Sequence, residues 1–139
     1  MGKPLCRGAV FALLFLLGST AWADKARFNY LLHCAGCHLA DGQGSPPEVP
    51  TLIGEITQIT DFSDGRAYLA RVPGSSQAPI SDAELADVLN YILTELNAPN
   101  LSSDFAPITA REVHSARENV LTDPLRERTR LWEQYQVDS

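Results

Sequence analysis

An all-α fold is predicted by three stretches of this 139-residue sequence. In the first, Ser81 with Glu84 three residues on is a capping box. Leu85, Val88, Leu89, Ile92, Leu93 and Leu96 then recur at spacings of three and four, one apolar stripe on a helix from Ser81 to Leu96. In the second, Thr109 and Glu112 cap a helix running to about Leu121, with Val113, Ala116 and Val120 on its apolar side and Arg117 and Glu118 on a solvated one. In the third, Asp123 is the cap and Pro124 the first helical residue of a helix that reaches about Gln136. At 45% hydrophobic and 20% charged residues the chain suits one ordinary domain. It is too apolar for disorder and too short for a two-domain enzyme.

The N-terminus follows a different logic. Lys3 and Arg7 precede an unbroken apolar run, Ala9 to Leu17, and the small-residue sequence Ala21-Trp22-Ala23 follows it. That is the pattern of a secretory signal peptide over residues 1–23, cut after Ala23, so the mature chain starts at Asp24. The run is too short to cross a hydrocarbon core of roughly 30 Å as a helix, so no permanent membrane span is expected after signal removal. The full sequence carries a net charge of −6, and the signal takes two cations and no acid with it. The exported, periplasmic chain is therefore more acidic still. Such a surface repels nucleic acid and anionic lipid and steers toward a basic patch on a partner protein, with screening by salt.

Cys6 lies ahead of the apolar run and leaves with the signal, which makes Cys34 and Cys37 the cysteines of the mature chain. In an oxidising compartment two cysteines suggest a disulfide, and at this spacing a redox pair. The next residue points elsewhere. Cys34-Ala35-Gly36-Cys37-His38 is C-x-x-C-H, the attachment pattern of c-type haem, in which both thiols add to the porphyrin vinyl groups and the histidine becomes the proximal iron ligand. On a tight helical turn, two thiols separated by two residues reach two edges of one macrocycle, and the adjacent imidazole lies under the iron. A dithiol beside an incidental histidine is the plainer alternative. Zinc is weaker, because the three clustered ligands lack a fourth at zinc-site spacing.

From this motif outward the chain resembles the class I cytochrome c family, over about Lys25 to Asn97. Phe28-Asn29-Tyr30-Leu31-Leu32 reads as an N-terminal helix, with Tyr30 four residues before Cys34, where the family carries an aromatic. His38-Leu39-Ala40-Asp41-Gly42-Gln43-Gly44 is similar to the family's C-H-x-x-D-G-x-G turn, whose glycines permit backbone geometries that a Cβ would obstruct. Pro50 follows His38 by twelve residues. The resemblance implies that its carbonyl accepts from the Nδ1–H of the proximal histidine, fixing the ring's orientation and basicity. It also implies that Ser81 to Leu96 is the helix that crosses the N-terminal one, with Tyr91 and Leu85 near Phe28, Tyr30 and Leu31. The implied fold is a cytochrome c-like helical fold around one covalently bound haem c, plus a C-terminal helical extension over residues 98–139. Residues 24–97 make a thin core by themselves, so the macrocycle supplies much of the interior and the apoprotein is expected to fold poorly.

The chain departs from its family at the sixth iron ligand. The family supplies methionine from the loop before the last helix, and the one methionine here is Met1, lost with the signal. The corresponding loop runs from Arg71 to Ile80, with Ser75 to Gln77 where the methionine would stand. A vacant or water-bound site is the simplest expectation. His114, on the second predicted helix, is the candidate distal ligand, against the plainer alternative of a surface histidine. His33, tied to the proximal side, is expected to be exposed near the haem edge, and Lys25 is a remote candidate. Losing methionine lowers the expected potential relative to methionine/histidine ligation.

After a polar linker from Asn97 to Asp104, the extension carries a partial apolar face of Leu125, Leu131, Trp132 and Tyr135 and a basic cluster of Arg126, Arg128 and Arg130. Either it wraps the core and buries Trp132 with the arginines solvated, or it is a docking arm for an acidic partner or second subunit. The function that follows is one-electron transfer, without enzymatic chemistry, from a dehydrogenase donor to an oxidase or another cytochrome. Two alternatives remain: a haem protein whose open distal site binds a small ligand or peroxide, and a dedicated subunit of a larger redox complex.

Overall fold

The computed structural model describes the backbone of residues 19–138 and the side chains of residues 24–135. The expected signal features Lys3, Cys6, Arg7 and Ala9 to Leu17 lie outside the described residues. The first helix, α1 (Ser19–His33), runs continuously through the expected cleavage point into a short helix α2 (Ala35–His38). A 3-10 helix (Glu55–Asp61), α3 (Ser63–Arg71), the one-turn α4 (Pro73–Ser76) and α5 (Asp82–Thr94) follow. A 3-10 turn (Ala98–Asn100) then leads to α6 (Ala110–Arg117) and α7 (Pro124–Asp138). Among the described residues there is no strand, only an isolated bridge between Ser45 and Val49. The all-α prediction holds.

Helix α1 packs along α5 through Ala26, Asn29 and Tyr30, which share one face at helical spacing and are all buried. Tyr30 is completely enclosed, with its ring 5.6 Å from that of Tyr91, and Leu31 and Leu85 join the same cluster. Phe28 does not. It is 62% exposed, as is Leu32, because the two lie one turn apart on the helix face opposite Tyr30. The capping box at the start of α5 is formed: the Glu84 backbone N–H donates to Ser81 Oγ, and the Glu84 carboxylate accepts from the Ser81 N–H. The same carboxylate takes a 2.9 Å ion pair from Lys25, tying α1 to α5.

The extension is built into this core. Ile108, Val113, Ala116, Leu121 and Leu131 are all buried in one cluster with the α3 and α5 side chains. Burying Val113 and Leu131 contributes roughly 1.5–3 kcal/mol each, reason enough for the segment to stay docked. Polar clamps add direction: Asn90 on α5 exchanges two hydrogen bonds with the backbone of Ile108. Arg66 on α3 reaches Glu112 and the carbonyls of Ala106 and Pro107.

Helix α6 ends at Arg117, four residues earlier than predicted, and the chain turns so that the Leu121 N–H donates to the Arg71 carbonyl. The turn buries Leu121 and leaves Val120 exposed, reversing the predicted phase at that end. Helix α7 lies against α3 and the first 3-10 helix. Leu131 carries the contact, whereas Leu125 is exposed. Trp132 is half-buried, donating from Nε1 to Glu55 with Arg128 stacked 4.3 Å over its ring. The extension thus wraps the core. Its arginines are more engaged than a solvated face requires: Arg130 pairs with Glu127 and Asp64, and Arg128 covers Trp132.

Candidate functional site

The last turn of α1 delivers the candidate ligands. The Cys34 N–H donates to the Tyr30 carbonyl at 2.8 Å, continuing the helix. Cys34 then becomes the N-cap of α2, whose turn closes through Cys37 N–H and His38 N–H donating to the Cys34 carbonyl. One helical turn therefore holds Cys34, Cys37 and His38 together, as the motif requires. It stops abruptly at Leu39, a non-glycine residue at φ 57°. That conformation is costly for a γ-branched side chain and needs an external hold. The hold is Tyr30, whose buried hydroxyl donates to the Leu39 carbonyl at 2.7 Å. Burial pushes the Tyr30 phenol up to about 12, so it remains a donor through the physiological range.

The loop after the motif folds back under His38. Gly42 takes φ +86° and receives the Leu52 N–H on its carbonyl. Gly44 has no room for a side chain: a Cβ there would run into the Val49 carbonyl oxygen and lie 2.6 Å from that of Pro50. The glycine thereby allows segment 44–50 to close, bringing Pro50 toward the motif. His38 Nδ1 is shielded from solvent and has no hydrogen bond of good geometry. The Pro50 carbonyl lies close enough to favour a proton on the ring, while burial, the larger effect, holds the His38 pKa below its ordinary value. A neutral imidazole is the form that ligates a metal.

Neither cysteine is in a disulfide; Cys34 is half-buried and Cys37 exposed. Burial, with a smaller contribution from Cys37, pushes the Cys34 thiol up to about 11. A redox dithiol needs the opposite shift, toward thiolate, so the turn is poorly suited to disulfide exchange. Among the described residues no group of three or more His, Cys, Asp and Glu side chains is arranged to hold a metal ion. Two unpaired thiols on one turn beside an imidazole whose Nδ1 is shielded from solvent do fit a haem, which would be held by Cys34, Cys37 and His38.

Further support comes from Asn97, completely buried at the end of the α5 region. Its side chain accepts from the Gly54 N–H and donates to the carbonyls of Leu52 and Ile92, so it fixes the segment just beyond Pro50 to α5. Sequence reading took Asn97 only as the start of the linker. Its one signal was a polar residue directly after the apolar stripe.

The structure does not bring His114 together with this cluster. Its side chain is 69% exposed on α6, with Nδ1 3.0 Å from Asp82 at the start of α5, the arrangement of a surface histidine. His33 is half-buried at the end of α1, and Lys25 is committed to Glu84. Where the family's methionine was expected, α4 forms a turn with Ser75 and Ser76 half-buried and Gln77 exposed.

Arg117 is the largest correction. It was assigned to a solvated face, yet its side chain is only 16% exposed. Its guanidinium donates to the carbonyls of Ser75, Ala78 and Ile80 and to Asp82.

Comparison with known proteins agrees with this geometry. Two relatives, both from Thermus thermophilus, are named cytochrome c-552. One is 35% identical over 77% of this chain and 84% of its own length. The other is 36% identical over 72% of this chain and 88% of its own. Each covers a larger share of this chain than its first 97 residues supply, so the likeness runs into the extension. A cytochrome c4 from Pseudomonas aeruginosa is 31% identical over 45% of this chain and 33% of its own. No solved structure matches. No helix among the described residues is long and apolar enough to cross a membrane. A family model described as Cytochrome c matches residues 17–95, and the chain belongs to that family, an electron-transfer protein with covalently bound haem c and not an enzyme.

Proposed function

We propose that the mature protein, residues 24–139, is an exported periplasmic carrier of one electron, with a single haem on Cys34 and Cys37 and His38 as proximal ligand. The observation that carries this reading is the His38 ring, its Nδ1 buried without a formed hydrogen bond beside the Pro50 carbonyl, on the same turn as two unpaired thiols. When bound, the haem supplies one-electron chemistry between ferric and ferrous iron. The chain's own residues do the rest. Cys34 and Cys37 fix the position of the group, and the Pro50 carbonyl stands beside His38 Nδ1, where a small ring rotation would let it accept the Nδ1–H. Tyr30 holds the end of the turn, and Asn97 ties the supporting loop to α5. No side chain in this set needs to move a proton, which suits a carrier whose partners are a dehydrogenase donor and an oxidase or cytochrome acceptor.

Mass spectrometry of the exported protein tests the assignment. The expected mass is that of residues 24–139 plus one haem; a haem-free mass, or two haems, would overturn it.

A second reading rests on one observation: the sole methionine is Met1, outside the mature chain. The sixth position is then open or water-bound, the potential is lower than with methionine, and carbon monoxide binds the ferrous protein. A reduced spectrum unchanged by carbon monoxide would remove this reading and leave a carrier with a strong sixth ligand.

A further inference from the structure

One side chain of the extension grips the segment that precedes α5. The Arg117 guanidinium donates to the carbonyl oxygens of Ile80 at 2.9 Å, Ala78 at 3.1 Å and Ser75 at 3.4 Å, and to Asp82 Oδ1 at 2.8 Å. Three carbonyls within six residues thus converge on one planar cation, those of Ser75 and Ala78 also accepting local turn hydrogen bonds. The rigid fork suits this task, because its donors point in fixed directions and reach several acceptors at once.

Asp82 completes the arrangement. It is the first residue of α5, and it also meets His114, so the last turn of α6 is latched to the first turn of α5 with segment 75–80 held between them. Arg117 Nε is buried without a partner, an unfavourable placement that the four other contacts must offset. The segment's own hydrogen bonds are local turns, Ala78 N–H to the Ser75 carbonyl and Ile80 N–H to that of Ala78; α4 is a single turn, and Gln77 and Pro79 are exposed.

We propose that Arg117 is a positioning residue: by clamping segment 75–80, the C-terminal extension governs access to the iron on the side opposite His38. The proposal rests on the haem reading above and on the resemblance, which puts Ser75 to Gln77 where the family's methionine would stand. It gives the extension a role in the chemistry of the haem as well as in the core. Leu131 makes the contrast, since it stabilises the same extension by burial alone and is absent from the clamp.

The test compares the haem-loaded wild type with Arg117→Ala, Arg117→Lys and Leu131→Ala in two measurements. Amide hydrogen exchange of peptides spanning 75–80 is expected to accelerate roughly ten-fold or more in Arg117→Ala, since loss of even one net hydrogen bond to a local segment shifts its opening by that factor. It accelerates less in Arg117→Lys, which can satisfy fewer carbonyls. Carbon monoxide association with the ferrous protein is expected to quicken in the same order, or to appear in Arg117→Ala if the wild type binds none.

Leu131→Ala is expected to lower the unfolding temperature without either local effect. Equal acceleration in Leu131→Ala would reduce the clamp to general stability and overturn the proposal. Unchanged exchange in Arg117→Ala would overturn it too, as would altered exchange with unaltered carbon monoxide kinetics. A wild type whose alkaline pyridine spectrum shows no c-type haem would defeat the underlying reading instead, and the exchange data would still report on the clamp.

Discussion

The Tyr30 hydroxyl donates to the carbonyl oxygen of Leu39 at 2.7 Å, from the last turn of α1 to the residue that ends the haem-attachment turn. Leu39 sits at φ 57°, so this contact holds a backbone position that the chain would otherwise relax. Tyr30→Phe keeps the ring packed on Tyr91 and removes only the donor. The expected loss is about 1–2 kcal/mol of stability in the haem-loaded protein, measured by denaturant unfolding. No change in midpoint would show that Leu39 is held by something else.

Gly36 and Gly44 are expected to respond in opposite ways. At Gly44 a Cβ would strike the backbone carbonyls of Val49 and Pro50, while at Gly36, inside the motif itself, it would meet nothing within 4 Å. Gly44→Ala is therefore expected to displace the Pro50 segment and cost about 1–3 kcal/mol. Gly36→Ala leaves both haem attachment and stability close to wild type. Reversed sensitivities, read from haem yield and unfolding midpoints, would contradict the described loop.

Acid should loosen the extension through Glu112. Hydrogen bonding from Arg66, aided by the Thr109 cap, holds its carboxyl at about 2, down from an ordinary 4.5. A folded-state value below the unfolded one means a contribution fully present above about pH 4.5 and lost as pH falls toward 2. The group is substantially exposed, so the effect is at most about 1 kcal/mol. Glu112→Gln is expected to lower stability at pH 7 by up to that amount and to flatten the profile across that window. A profile identical to wild type would remove the pair from the acid response.

His114→Ala is expected to leave the optical spectrum in both oxidation states as it is, because the exposed ring is spent on Asp82. A low-spin wild type turning high-spin in the variant would make His114 the sixth ligand after all.

Local signals in the chain were legible where the physics is local. Both capping boxes, at Ser81 and Thr109, formed as their residue types and spacing dictate, and the stripe from Leu85 to Leu93 is buried. The C-x-x-C-H turn and the glycine at 44 likewise depend on neighbours a few residues away. Arg117 was misread because three of its four acceptors are main-chain carbonyls 37 to 42 residues earlier, and a carbonyl carries no side-chain signature. Val120 and Leu125 were misplaced because helix phase beyond Arg117 is set by where α6 stops, and that stop is fixed by the Leu121 to Arg71 contact across the fold. Phe28 was assigned inward by resemblance, whereas the helical spacing of Ala26, Asn29 and Tyr30 turns it out.

The central claim is that Cys34 and Cys37 hold the haem covalently on the turn that presents His38. Acid-acetone extraction of the exported protein tests it directly, alongside the Cys34→Ser/Cys37→Ser double variant. Colour is expected to stay with the wild-type protein and to pass into the organic phase from the variant, if the variant binds haem at all. Haem extracted from the wild type, or retained by the double variant, would contradict the account.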